Sequence, residues 1–359
     1  MKNERCYRNG CLVLVLLFAL IGCGGTASRK CTDAYQPQLF LSLPDYCNTP
    51  DGMTLDCKDN IILACPNFND TEYPGVLMKI DTKNRLSLFY PMPVHPETKR
   101  GCPMGMDFGP DGNLYVADNQ YFYDKNYKSR LIRINIKDGK AISSDVVVDG
   151  FKLSNAVIWK GTKIYVSDTF FDTPGKPGMS GIYQFSLAEM NRGKVMLKPN
   201  SEDPHLIATF QTRANPRKDM AGADGMTFDS KGNLYTGNFG DGVMSKITFD
   251  ENDKVISNTI FVDDKKLTCV DGIFCDLKTD YIYIADSEKN AVQVVKPCGT
   301  VETLWVNDDS DGADGLLDQP CEPIIRGKEL ILANFDMTFP GLKNSGYDKH
   351  HTLSVIKLK

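Results

Sequence analysis

The chain has 359 residues, 42% hydrophobic and 24% charged, with 41 Lys+Arg against 46 Asp+Glu and a formal net charge of −5. A mildly acidic balance with no Lys/Arg block lacks the electrostatic footprint of a nucleic-acid binder, and 30 Gly with 19 Pro are too few for a disordered or collagen-like chain. The length exceeds one ordinary two-layer core, so two domains or a repeat architecture is expected.

The first elements are an address. Lys2, Arg5 and Arg8 precede a twelve-residue apolar run, Cys11 to Gly22. That suits a signal-peptide core and falls short of the roughly 20 residues that span a bilayer. The run ends Leu20-Ile21-Gly22-Cys23, which resembles the bacterial lipobox. This implies cleavage after residue 22, acylation of Cys23, a lipidated tether over 23–37, and an exported bacterial cell-envelope lipoprotein held at the membrane; the competing reading is a signal peptide cut nearby with Cys23 an ordinary residue. Export permits disulfides. Of twelve cysteines, Cys6 and Cys11 leave with the signal and Cys23 carries lipid, so an odd nine remain. No CxxC occurs, which argues against a zinc ribbon. Cys269 with Cys321 is the expected pair.

From residue 38 the chain repeats. PDGMTLDCKDNIILAC from Pro50, PMGMDFGPDGNLYVAD from Pro103, SNAVIWKGTKIYVSD from Ser154 and ADGMTFDSKGNLYTGN from Ala223 share one pattern. VDGIFCDLKTDYIYIAD from Val270 and CEPIIRGKELILAN from Cys321 complete it. With Gly52, Gly105, Ala156, Gly225, Gly272 and Glu322 equivalent, the spacings are 53, 51, 69, 47 and 50 residues. Each copy reads as a strand, a tight polar turn and a second strand of alternating Tyr, Val and Ile. Third strands follow at 75–80, 129–135, 180–186, 242–248, 290–295 and 352–358; fourth strands at 86–90, 145–149, 205–211, 258–263 and 300–306. The fold expected is all-β, a six-bladed β-propeller over 38–359 with four antiparallel strands per blade. The last copy lacks a fourth strand, so residues 38–43 are expected to supply it and close the ring.

In this arrangement the starts of the first strands share a face with the loops between second and third strands. Those loops are long at 66–74, 119–128, 169–179 and 335–351 and rich in aromatic residues, as expected of a lidded pocket. The second strands end in Cys65, Asp118, Asp168, Asn238, Asp286 and Asn334, a ring so regular that it reads as architecture, with side chains bonding turn amides. The first strands begin at Asp51, Met104, Asn155, Asp224, Asp271 and Cys321 or Glu322. Their carboxylates converge on the axis and cannot all stay ionised without a cation. Oxygen ligands without histidine favour Ca²⁺, then Mg²⁺, with Mn²⁺ or Zn²⁺ as alternatives. The competing reading is that Asp-Gly simply starts strand one.

At these residues, above all Ser154-Asn155-Ala156-Val157-Ile158-Trp159 and Asp224-Gly225-Met226, the sequence resembles the six-bladed family of gluconolactonase, regucalcin (senescence marker protein) and luciferin-regenerating enzyme. The resemblance spans roughly 44–359. It implies one divalent ion held by Asp51, Asn155 and Asp224, with Asp224 as catalytic base in opening a lactone or small ester. Asp271, Glu322, Arg100 and Met104 are further candidates. The family usually has Glu at the Asp51 position; its blade-two Asn is replaced here by Pro103 and Met104, with Arg100 displaced by one position. No GxSxG is present, and His95, His205, His350 and His351 are expected to be surface groups. The alternatives are a non-enzymatic propeller that binds a ligand or partner around a structural ion and, less favoured by the metal trio, a strictosidine-synthase-like condensing enzyme.

Overall fold

The computed structural model describes residues 33–198 and 202–359. The signal segment, Cys23 and Cys31 lie outside the described residues. Six antiparallel sheets follow one another along the chain, and each runs from an inner strand outward. Blade one is Met53–Leu55, Ile61–Cys65, Val76–Ile80 and Leu86–Pro91. The inner strands of the other blades are Pro103–Phe108, Ser154–Lys160, Ala223–Phe228, Ile273–Asp276 and Pro320–Arg326.

The ring closes as the sequence predicts. Gln38–Ser42 lies antiparallel to the last strand, Thr352–Lys357, and becomes the outer strand of blade six. Packed structure begins slightly earlier, in a 3-10 turn over Asp33–Tyr35 whose tyrosine packs against blades five and six. Blade two carries one unforeseen strand, Val195–Met196, parallel to the outer strand Lys140–Phe151. It belongs to the extra chain that makes the third spacing 69 residues rather than about 50. No helix among the described residues is long and apolar enough to cross a membrane.

Burial explains the residue pattern. The second strands Ile61–Cys65 and Leu114–Asp118 are buried along their whole length because a blade covers each face. Each fully buried aliphatic side chain there contributes about 1.5–3 kcal/mol. The repeated glycine has a separate cause. A Cβ on Gly52, Gly105, Gly225 or Gly272 would lie 2.8 Å from the Cα of Gly105, Ala156, Gly272 or Glu322, the equivalent residue of the next blade. Inner strands therefore meet backbone to backbone around the axis, and the side chain is excluded by contact rather than by an unusual φ.

Candidate functional site

The same crowding aims the site. Register shifts fall at the start of the inner strands, between Pro103 and Met106, Ser154 and Val157, Ala223 and Met226, and Pro320 and Glu322. Such bulges bend a strand and redirect its side chains. Backbone bonds cross between blades at this level: the Gly225 amide donates to Asp271 O at 3.2 Å, and the Gly272 amide to Cys321 O at 2.7 Å.

A cavity of about 190 Å³ results, and Asp51, Met104, Asn155, Asp224, Asp271 and Cys321 all line it. Asn155 Nδ2 donates to Asp224 Oδ1 at 2.7 Å. Asp271 accepts from Ser287 Oγ at 2.7 Å. Asp51 is 7% exposed, and its Oδ2 is buried with no hydrogen-bond partner. Burial pushes the Asp51 carboxyl up to about 7 against hydrogen bonds from Cys321 and Gly52. Asp224 is held well above the usual range by burial, then by the charges of Asp271, Asp51 and Glu322. Burial and Asp51 raise Asp271, and burial, Asp51 and Asp271 raise Glu322. Glu322 thus acts on the group electrostatically without lining the cavity. Arg100 does not line it either: its guanidinium bonds Thr71 O and sits 5.7 Å over the Tyr123 ring.

The orphaned Asp51 oxygen, the mutually raised acids and an all-oxygen donor set fit a hard cation at Asp51, Asn155 and Asp224. The ring at the ends of the second strands has the architectural role expected of it. Asp118 accepts from the Cys102 amide at 2.7 Å and from Arg130 Nε at 2.8 Å; Asp168 accepts from the Lys152 and Leu153 amides at 3.0 and 2.6 Å. Asn334 accepts from the Asp318 amide at 3.2 Å. Each ties the chain entering a blade to that blade's second strand.

The cavity wall is aromatic. Tyr121, Phe122, Phe170, Phe335 and Phe339 come from the long loops. Tyr121 stacks on Phe170 at 5.0 Å, and Phe122 on Phe339 at 6.4 Å. Sequence reasoning missed Phe239, Asp219 and Asn119. Phe239 follows the end of a second strand in a blade whose loop is short, and Asp219 lies in the long connection between blades three and four. The 69-residue spacing was the available signal for the latter. Arg217 anchors this connection: it pairs with Asp219 at 3.2 Å and Glu288 at 3.1 Å, and lies 5.1 Å over the Phe239 ring. Asn119 is fully buried, and its Nδ2 has no partner although its Oδ1 accepts from the Tyr121 amide at 2.9 Å.

Two expectations are corrected. His95 and His351 are 5% and 2% exposed, not surface groups, and neither lines the cavity. His95 Nδ1 instead accepts the Glu97 amide at 3.1 Å, capping a turn, and His351 stacks on Tyr347 at 5.9 Å. Cys269 and Cys321 are both buried free thiols. Cys321 Sγ is turned toward Pro50 O at 3.3 Å and Ala333 O at 3.5 Å, which leaves Cys269 without a bridge.

The fold and site define a six-bladed propeller with an acid-floored, aromatic-walled axial cavity. No protein-family model matches the chain, and no curated protein matches it. Solved structures do. A luciferin-regenerating enzyme superposes with a TM-score of 0.59 at 10% identity, covering 90% of this chain and 97% of that one. A gluconolactonase from Xanthomonas campestris gives 0.55 at 11%, covering 90% and 95%. Regucalcin, a calcium-binding protein from Agrobacterium tumefaciens, gives 0.56 at 11%, covering 90% and 96%. The fold resemblance drawn from the repeats is met; at these identities the likeness is one of fold.

Proposed function

We propose that this protein is a lactonase-like hydrolase dependent on a divalent cation, Ca²⁺ by the chemistry of its ligands. The observation that carries the reading is the convergence of Asp51, Asn155 and Asp224, from three blades, on one cavity in which Asp51 Oδ2 has no protein partner. A cation held by these three residues supplies Lewis acidity to a lactone or ester carbonyl. Asp224, buried at the floor of the cavity, takes the proton from the attacking water. Asn155 holds Asp224 in place through the 2.7 Å bond.

The wall refines the substrate. Met104, Phe122, Phe170, Phe239 and Phe339 present apolar surface, and Arg100 is turned elsewhere. That lining suits an alkyl- or aryl-substituted lactone or small ester better than a polyhydroxylated sugar lactone, whose hydroxyls would lose their hydrogen bonds to water. The reading also carries an exported, lipid-anchored protein acylated at Cys23, on the strength of the sequence before residue 33. Hydrolysis of γ- and δ-lactones differing in side-chain polarity tests it. Turnover should rise with apolar substitution; failure to open any of them would remove the hydrolase reading and leave the ligand-binding propeller.

A further inference from the structure

A second group of acids lies outside the axial cavity. Asp318 stands in the connection that enters blade six, Asp336 just beyond the second strand Glu329–Asn334, and Asp348 near the far end of the long loop 335–351. One oxygen of each lies within 4.8 Å of the others. Among the described residues, this is the group of three His, Cys, Asp or Glu side chains that approach so closely. The Asp-rich run Asp308-Asp309-Ser310-Asp311 leads into it and has no part in the axial site.

An acidic cluster alone proves little, but Asp318 adds an independent observation. It is 1% exposed, and both of its carboxylate oxygens are buried without a hydrogen-bond partner. A buried carboxylate with four idle lone pairs is costly unless something positive faces it. The basic side chains of the same loop are engaged elsewhere: Lys343 pairs with Asp308 at 2.9 Å, and His350 lies 3.4 Å from Asp311. The Asp336 carboxylate accepts from Asn344 Nδ2 at 3.1 Å and from the Asp348 amide at 2.9 Å, so it keeps oxygen lone pairs to give. Burial and the charges of Asp336 and Asp348 push Asp318 up to about 9.

We propose that Asp318, Asp336 and Asp348 form a second divalent-cation site, selective for Ca²⁺, that pins loop 335–351 to the entrance of blade six. The all-carboxylate donor set matches a hard ion of flexible coordination and disfavours zinc. The site is structurally coupled to the cavity, because Phe335 adjoins Asp336 and Phe339 follows in the same loop, and both line the wall. Occupancy therefore fixes two aromatic rings over the axial site. The proposal stands independently of whether that site is catalytic.

Calcium stoichiometry by equilibrium dialysis of the purified protein, with limited proteolysis of loop 335–351, tests this. Wild type is expected to bind two equivalents and to show Ca²⁺-dependent protection of the loop. Asp318→Asn, and separately the half-buried Asp348→Asn should the first fail to fold, are expected to lose one equivalent and the protection. Asp224→Asn should keep the protection. Unchanged stoichiometry and protection in folded Asp318→Asn or Asp348→Asn would overturn the second site while leaving the axial one intact. Retention of both Ca²⁺ equivalents in folded Asp224→Asn, with the protection unchanged, would count against the axial reading alone. A wild-type protein whose loop gains no protection at millimolar Ca²⁺ would overturn the proposal outright.

Discussion

Asn155 and Asp224 are 69 residues apart in sequence, yet Asn155 Nδ2 lies 2.7 Å from Asp224 Oδ1 across the junction of blades three and four. The amide satisfies one carboxylate oxygen in an environment where the other acids repel it. Asp224→Asn should therefore relieve repulsion as it removes the base. Lactone hydrolysis is expected to fall by about 10²–10⁴-fold, the usual worth of a positioned base. In EDTA the melting temperature should hold or rise. Wild-type activity in the variant would remove the role given to Asp224.

Asp118 belongs to the other ring and should behave oppositely. Its carboxylate faces Arg130 at 2.5 Å with side-chain exposures of 0% and 5%. Asp118→Asn leaves a buried guanidinium without its counter-charge, which costs about 3–5 kcal/mol when one partner of such a pair is removed. Urea denaturation should show that loss, with kcat per folded molecule little changed. A variant as stable as wild type would contradict the architectural reading.

Gly225→Ala probes the axial crowding. The added methyl would fall 2.8 Å from Gly272 Cα and against Asp271 O, both backbone groups that cannot swing aside. Overpacking of this kind costs about 1–3 kcal/mol. Because Gly225 adjoins Asp224, cation affinity should fall with stability. Unaltered stability in thermal melts would mean that the inner strands are less tightly apposed.

How much of this was legible in sequence divides along physical lines. Closure by 38–43 could be foreseen because an unmatched strand and a blade lacking one imply each other, and the aligned glycines return as close backbone neighbours at four blade junctions, Gly52 with Gly105, Gly105 with Ala156, Gly225 with Gly272 and Gly272 with Glu322. Period-two apolar patterns and turn chemistry are local, so the repeats carry them. Asp219 was signalled only by the 69-residue spacing, while Asn119 and Phe239 stand directly after second-strand ends, as Thr169 and Phe335 of the cavity do, at a position whose residue type changes from blade to blade and so forms no pattern. The burial of His95 and His351 likewise depends on how loops fold over one another. The Asp318 group draws on the entry to blade six and both ends of one loop, a convergence no spacing rule encodes.

His205 gives a pH signature. Its Nδ1 lies 2.8 Å from Asp203 and its Nε2 2.8 Å from Glu189, the residue that closes the capping box on Ser186. Burial opposes the charged ring, but the two carboxylates outweigh it and raise the pKa. A raised folded-state pKa means that the stabilisation is full below the unfolded value of about 6.5 and is lost as pH rises through the folded value. The stability difference between wild type and His205→Gln should therefore shrink from pH 6 to pH 8.5 in urea melts. A difference that stays constant, or grows with pH, would contradict the assignment.

The central claim is that the axial acids hold a cation that the chemistry requires. It is tested most directly by lactone hydrolysis in the purified protein before and after EDTA, with Ca²⁺, Mg²⁺, Mn²⁺ or Zn²⁺ then returned singly. Activity abolished by chelation, restored best by Ca²⁺ and not restored in Asp51→Ala is the expected result. Full turnover in EDTA, or restoration in Asp51→Ala equal to wild type, would contradict it.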